Sequence, residues 1–580
     1  MELLQSEVQQ YAWGKKGSES VVAKLKGLND SAYTVKPEET YAEMWIGTHP
    51  SGPSRVVRDG SPGPLLKEVL QDNPHVLGAI RWKGDLPFLF KVISISKALS
   101  IQAHPDKRLA ERLHEERPDV YKDDNHKPEM AVTLSDFEGL CGFRPFYEIV
   151  WNLHAYPELR SMVSYTALKA VCAAGDDVER QRKALKKLFG SFVKCDKNVV
   201  RTQVAALVSR LEKNAPKNSE GQTQGAPPRT TPEQAPEPLR CAMSAAQETE
   251  QVAKPLTRNP SSHVGGMLPR GVSNGKLTSM ANTFENIPVT QLRVRKSSTD
   301  LHGLGLAQET SMDSLDESKS ALDVLADETA SEEIFGKAFR GGRQAAAGLA
   351  ARLQREDADV QRVMLRLSKE YPGDLGMLMP LMLNLLQLKP GQAFFMTVDE
   401  PHAYLRGDIL EVMACSNNVV RAALTPKFRD VDLLVEMLTY NMGAPAVLPA
   451  ETVDQCRKRY TPPINDFELQ VLEVPANEKY DLEAMPVPVV MVALAGGSGG
   501  HVIERNSGRE IRACEGGVFF LPAYTPVIVC SGSERGIRMA LAHTNLHWGT
   551  LSVPAVANAG KAPGTENGES SGSPRAPSFA

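Results

Sequence analysis

The stretch SIQAHPDK, residues 100–107, sets a glutamine and a histidine two positions apart where an apolar run is expected to continue. The preceding PFLFKVISISKAL, 87–99, reads as a β-strand with a buried face. With a side-chain period of two, Leu99, Ile101 and Ala103 share one face, and Ser100, Gln102 and His104 share the other. A polar row inside a strand-rich core implies a polar occupant, either a metal ion or a substrate.

Two other stretches offer donors of the same kind. NHKPEM, 125–130, supplies Glu129 just after His126 and Lys127, and DEPHAYLRGD, 399–408, supplies His402. Two imidazoles, one carboxylate and one amide oxygen suit zinc, and a neutral amide leaves the ion a strong Lewis acid with a position free for substrate. Spacing alone does not decide the matter. Q-x-H recurs by chance, and a histidine after E-P is ordinarily a satisfied loop residue.

The elements that must bring these stretches together follow from composition and periodicity. At 580 residues the chain exceeds one core, and 42% hydrophobic content is that of a globular protein. Lys plus Arg is 66 against 70 for Asp plus Glu, so a net charge of -4 gives no reason to expect nucleic acid or an anionic membrane as partner. The eight cysteines are scattered without a C-x-x-C pair, as reduced thiols of a cytoplasmic protein would be, and the N-terminus lacks a secretory pattern.

Short β-like runs broken by Gly and Pro fill residues 1–145. Apolar residues three and four apart then indicate helices within 146–213 and again within 341–388, including LGMLMPLMLNLLQL, 375–388, which reads as a buried helix too short to span a bilayer. Residues 214–340 are rich in Ser, Thr, Pro, Gly and Gln and are expected to be a mostly disordered insertion, open to an unidentified protein partner. β signal resumes over 389–450 and 451–551, where VPVVMVALAGGSGGHVIERNSG reads as a hairpin and GGVFFLPAYTPVIVC as a strand pair. The tail, 552–580, is low in complexity. A helical unit interrupting two β-rich pieces points to one barrel with a helical excursion, which would bring residues near 104 and near 402 together.

YAWG at 11–14, YAEMWIGTHPSGPS at 41–54, ALSIQAHPDK at 98–107, NHKPEM at 125–130 and FFMTVDEPHAYLRGDILEVMACSNNVVRAALTPK at 394–427 occur in this order. The series resembles the type I mannose-6-phosphate isomerases. That resemblance implies a mainly β fold: a cupin-type, jelly-roll catalytic barrel, an α-helical insertion and a second cupin-like barrel at the C-terminus. It places one zinc ion on Gln102, His104, Glu129 and His402. It also implies interconversion of mannose 6-phosphate and fructose 6-phosphate through a cis-enediol, supplying mannose for glycosylation.

Such a reaction needs an electrophile for the enediolate, a proton carrier and a cationic grip on phosphate. Zinc fills the first role. Lys127 and His126 are favoured for proton handling, with Glu411 a third option. Arg421 and Lys427 match basic residues at the family's substrate, in roles that could be exchanged; Ser100 is a candidate phosphate donor, and Tyr404 a pocket-lining residue. The family usually reads SDN where this chain reads SNN, so Asn417 keeps the size of an aspartate and loses its charge. Two other readings stay open: a metal-binding, catalytically weak relative with a regulatory or scaffold role, and an iron bicupin oxygenase, which the glutamine suits poorly.

Overall fold

The computed structural model describes residues 1–214 and 343–547 apart from positions 81, 446, 498, 533 and 534. The expected insertion, 214–340, and the tail, 552–580, therefore lie outside the described residues, save for position 214. Among the described residues no helix is long and apolar enough to cross a membrane.

The sheet that carries the polar stretches is built around two strands. Phe88–Ile95 lies between Glu43–Ile46 and His402–Ala414, all antiparallel. Every residue of Phe88–Ile95 is buried, so the strand has two covered faces rather than the single one its alternation suggested. Phe88, Phe90 and Val92 pack toward Val490 and Phe520, while Ile93 and Ile95 join Ala131, Phe394 and Tyr404 on the other side. Lys91 falls on this second side, because residues two apart share a face.

The thirteen-residue strand His402–Ala414 carries the architecture. Its second half runs between Glu129–Thr133 and Phe88–Ile95, and its first half pairs with Phe137–Phe143 and Ile101–Ala103. Gly407, at φ 124°, makes the corner, and a Cβ there would stand 2.8 Å from the Asp136 carbonyl oxygen. A glycine thus lets one strand serve two parts of the sheet.

Helices Phe146–Ala155, Tyr165–Ala173, Val178–Val193, Lys197–Asn214 and Arg343–Glu370 are the helical excursion, with Leu188, Phe189, Phe192, Leu207, Val363 and Leu367 in their shared core. Ser164 and Asp177 cap two of them by accepting the N–H of Ala167 and Arg180. The buried helix expected over 375–388 is corrected. Leu375–Leu381 is a 3-10 turn containing Pro380, and Leu383–Leu388 is a strand paired with Phe137–Phe143. Proline withholds an N–H and stops the helix, after which LNLLQL pairs into the sheet with Leu386 and Leu388 buried on either side of exposed Gln387.

In the C-terminal half, Val489–Ala495 belongs to a nine-stranded sheet and His501–Glu504 to a four-stranded one, so the expected hairpin does not form. Val518–Leu521 and Val527–Cys530 are divided in the same way. Met491, Phe519 and Met539 of one sheet face Val502 and Val529 of the other across a shared core, and strands that alternate between facing sheets are what a jelly-roll requires. Residues 1–145 serve both halves: Glu2–Gln5 pairs with Val518–Leu521 and with Arg55–Arg58 in the nine-stranded sheet.

Candidate metal centre

His104, Glu129 and His402 meet in the barrel, their ligand atoms all within 4.8 Å of one another and all three side chains buried. His104 leaves the end of Ile101–Ala103, Glu129 opens Glu129–Thr133, and His402 opens the long strand. His104 Nε2 stands 3.3 Å from Glu129 Oε1, His402 Nε2 stands 3.2 Å from Oε2, and the two rings are 5.0 Å apart.

The other ring nitrogens decide what those Nε2 atoms can do. His104 Nδ1 lies 2.7 Å from the Asn418 carbonyl oxygen, and His402 Nδ1 lies 3.0 Å from that of Glu400. A carbonyl only accepts, so both Nδ1 atoms carry the proton and donate. In the neutral rings each Nε2 then presents a lone pair toward a carboxylate oxygen, an arrangement of acceptors that only a cation between them can satisfy. Neither Nε2 has a hydrogen-bond donor. Burial, reinforced by Lys127, brings the His104 imidazole down to about 4, so it stays neutral at physiological pH. Burial resists ionisation of Glu129, yet the Lys127 ammonium beside it holds its carboxyl well below the usual range. The donor set fits a divalent cation.

Gln102 lies directly opposite His402 on one side and Arg421 on the other. Directly opposed residues of antiparallel strands point to the same face, which puts Gln102, His402 and Arg421 in one row. Ser100 Oγ donates to Gln102 Oε1 at 3.1 Å, so Ser100 is occupied in orienting the amide. Arg421 is partly buried and has no carboxylate partner among the described residues, and burial lowers its pKa. Lys427 is exposed on the loop beyond Val420–Ala423.

The three proton-handling candidates separate. Lys127 Nζ is 3.1 Å from Glu129 Oε1, beside the cluster. His126, its neighbour, turns its Nε2 to Asp466 Oδ1 at 2.9 Å, and the structure does not bring it into the cluster. Glu411 accepts from Tyr404 Oη at 2.6 Å and is paired with Lys91 at 2.8 Å. Burial raises Glu411, against the pull of Lys91, and burial with the adjacent Glu411 raises Tyr404 well above its ordinary value. Asn417 is exposed, and its backbone N–H donates to Asp123 Oδ2 at 2.7 Å.

Sequence reasoning passed over Lys91, Glu43 and Asn418. Lys91 is buried between Glu411 and Glu43, 3.4 Å from the latter, with its ammonium over the Trp45 ring. The signal was present in PFLFKVISI, where a lysine interrupts a run otherwise fit for a core.

Residues 1–146 match the phosphomannose isomerase type I catalytic domain. The chain is 30% identical over 536 residues to mannose-6-phosphate isomerase 1 of Arabidopsis thaliana, covering 92% of this chain and 91% of that one. It is 31% identical over 504 residues to human mannose-6-phosphate isomerase, covering 85% and 87%. Its fold is similar to that of the crystal structure of the apo form of mannose 6-phosphate isomerase from Salmonella typhimurium, with a TM-score of 0.56 at 21% identity, covering 94% of this chain and 99% of that one.

Proposed function

The chain belongs to the type I mannose-6-phosphate isomerase family, and on that premise we propose that it interconverts mannose 6-phosphate and fructose 6-phosphate through a cis-enediol with one zinc ion on His104, Glu129, His402 and Gln102. The single observation that carries the metal assignment is the pair of buried Nε2 atoms, each without a hydrogen-bond partner, facing one carboxylate. When bound, zinc supplies Lewis-acid stabilisation of negative charge on the sugar's C1 and C2 oxygens, worth several kcal/mol.

The remaining work falls to the chain's own groups. Arg421, in the same row as Gln102 and His402 and free of any carboxylate among the described residues, offers its guanidinium to an oxyanion of the substrate. Lys427, exposed on the following loop, takes the phosphate. Lys127, beside the cluster, carries the proton between C2 and C1, since His126 is turned to Asp466 and Glu411 is tied to Tyr404 and Lys91. Glu411, tied to Tyr404 and Lys91, orients the barrel floor instead. The reading extends to a cytoplasmic enzyme that feeds mannose into GDP-mannose and glycosylation.

The test is a coupled assay of fructose 6-phosphate formed from mannose 6-phosphate. Turnover is expected to vanish on chelation and return with zinc, and Arg421→Ala is expected to lower kcat by about 10²–10³-fold, the cost of one donor to developing charge. No turnover with the metal fully loaded would leave a metal-binding relative of the isomerases. Turnover surviving Gln102→Ala with His402→Ala would remove the metal assignment.

A further inference from the structure

We propose that Asp123 is a positioning residue for the metal centre, acting on His104 through the Asn417–Asn418 turn; this rests on the metal reading above. Asp123 lies in YKDDNHKPEM, two residues before Asn125, and is partly buried. Its carboxylate receives three donors. Oδ2 accepts the Asn417 N–H at 2.7 Å, and Oδ1 accepts the Asn125 N–H at 3.1 Å and Asn418 Nδ2 at 3.2 Å. The Asn418 amide also donates to the Asp123 carbonyl at 2.7 Å and to the Asn125 carbonyl at 3.1 Å. Ser416 Oγ closes the turn by donating to the Asn125 carbonyl at 3.0 Å.

Two segments almost 300 positions apart are thus stitched together, and the outcome is the placement of one atom. The carbonyl oxygen of Asn418 is fixed where it accepts the His104 Nδ1 proton at 2.7 Å. That bond sets the tautomer and turns Nε2 toward Glu129. The same segment leads through Lys127 to Glu129, but the bonds of the Asp123 carboxylate converge on the turn that presents the Asn418 carbonyl to His104. His402 is held independently, by the Glu400 carbonyl, whose own carboxylate is anchored by Thr439 and by Asn441 at 2.9 Å. His104 is therefore the histidine whose Nδ1 acceptor Asp123 positions, whereas the Nδ1 acceptor of His402 lies outside the turn.

The experiment measures the zinc Kd of the full chain by competition with a chromophoric chelator, beside the thermal unfolding midpoint. Asp123→Ala is expected to weaken zinc about 10–100-fold, the usual loss when a ligand's supporting partner is removed. Asp123→Asn keeps the Oδ1 acceptor but turns an amide donor on the Asn417 N–H, and is expected to fall between the two. In a His104→Ala background Asp123→Asn should change the zinc Kd no further, whereas in a His402→Ala background its full fold-change should persist. An unchanged Kd in folded Asp123→Ala, or equal effects in both backgrounds, would overturn the assignment of Asp123. Failure of the unaltered chain to bind zinc would instead overturn the metal reading itself.

Discussion

Several buried polar side chains of this molecule are committed to partners far away in sequence. Lys91 is paired with Glu411 and Glu43. Lys91→Met should leave two buried carboxylates uncompensated and cost about 3–5 kcal/mol in denaturant unfolding, as breaking a buried pair from one side does. His49, edge-on to Trp45, is brought down to about 4 by burial and by Lys91. A depressed imidazole contributes stability that is present above the unfolded value near 6.5 and lost as pH falls toward 4. His49→Gln should flatten the decline of the unfolding midpoint across that window; an unaltered decline would assign it to other groups. At this scale Gln102 and His104 were legible, because a period of two puts them on one face. Glu129 and His402 were named as donors, and the β, helix, β order brought 402 near 104, but a long-range encounter leaves no local period, so only the resemblance joined all four in one set.

At the scale of elements, tight backbone approaches fix where the ligand-bearing strands sit. The Trp13 carbonyl accepts the N–H groups of Ser96 and Lys97, holding the turn that leads into Ser100 and Gln102. Gly14 follows, and a Cβ there would come within 2.7 Å of the Ala42 backbone. Gly14→Ala should therefore force strands apart, lowering stability by about 1–3 kcal/mol and disturbing the Gln102 strand, as chemical denaturation and zinc affinity would register. Short β runs broken by Gly and Pro, and helices with apolar residues three and four apart, were readable from sequence. The 375–388 segment was misjudged because a continuous apolar run satisfies both periods, and Pro380 decides between them. The 489–504 hairpin was misjudged because strand adjacency in sequence does not say which of two facing sheets each strand joins.

At the scale of the molecule, the two β-rich halves of the described residues share a seam of apolar side chains, among them Phe90, Val92, Val412, Val490 and Phe520. The chain's first strand is part of that seam. Leu4 is fully buried, its strand pairs with Val518–Leu521, and the Met1 ammonium lies 3.3 Å from Glu504. Leu4→Ala should cost about 2–5 kcal/mol and lower the unfolding of both barrels together; a separate early transition of the C-terminal barrel would show that the seam does not couple them. The order β, helix, β made one interrupted barrel readable, whereas the pairing of the N-terminal strand with strands 500 residues away had no sequence signal.

The most direct measurement is anomalous diffraction at the zinc edge from crystals of the zinc-loaded chain. One strong peak is expected about 2.0–2.2 Å from His104 Nε2, His402 Nε2 and a Glu129 oxygen, with the Gln102 oxygen in reach. A peak elsewhere, or a zinc-dependent enzyme whose three buried side chains surround no scatterer, would contradict the assignment.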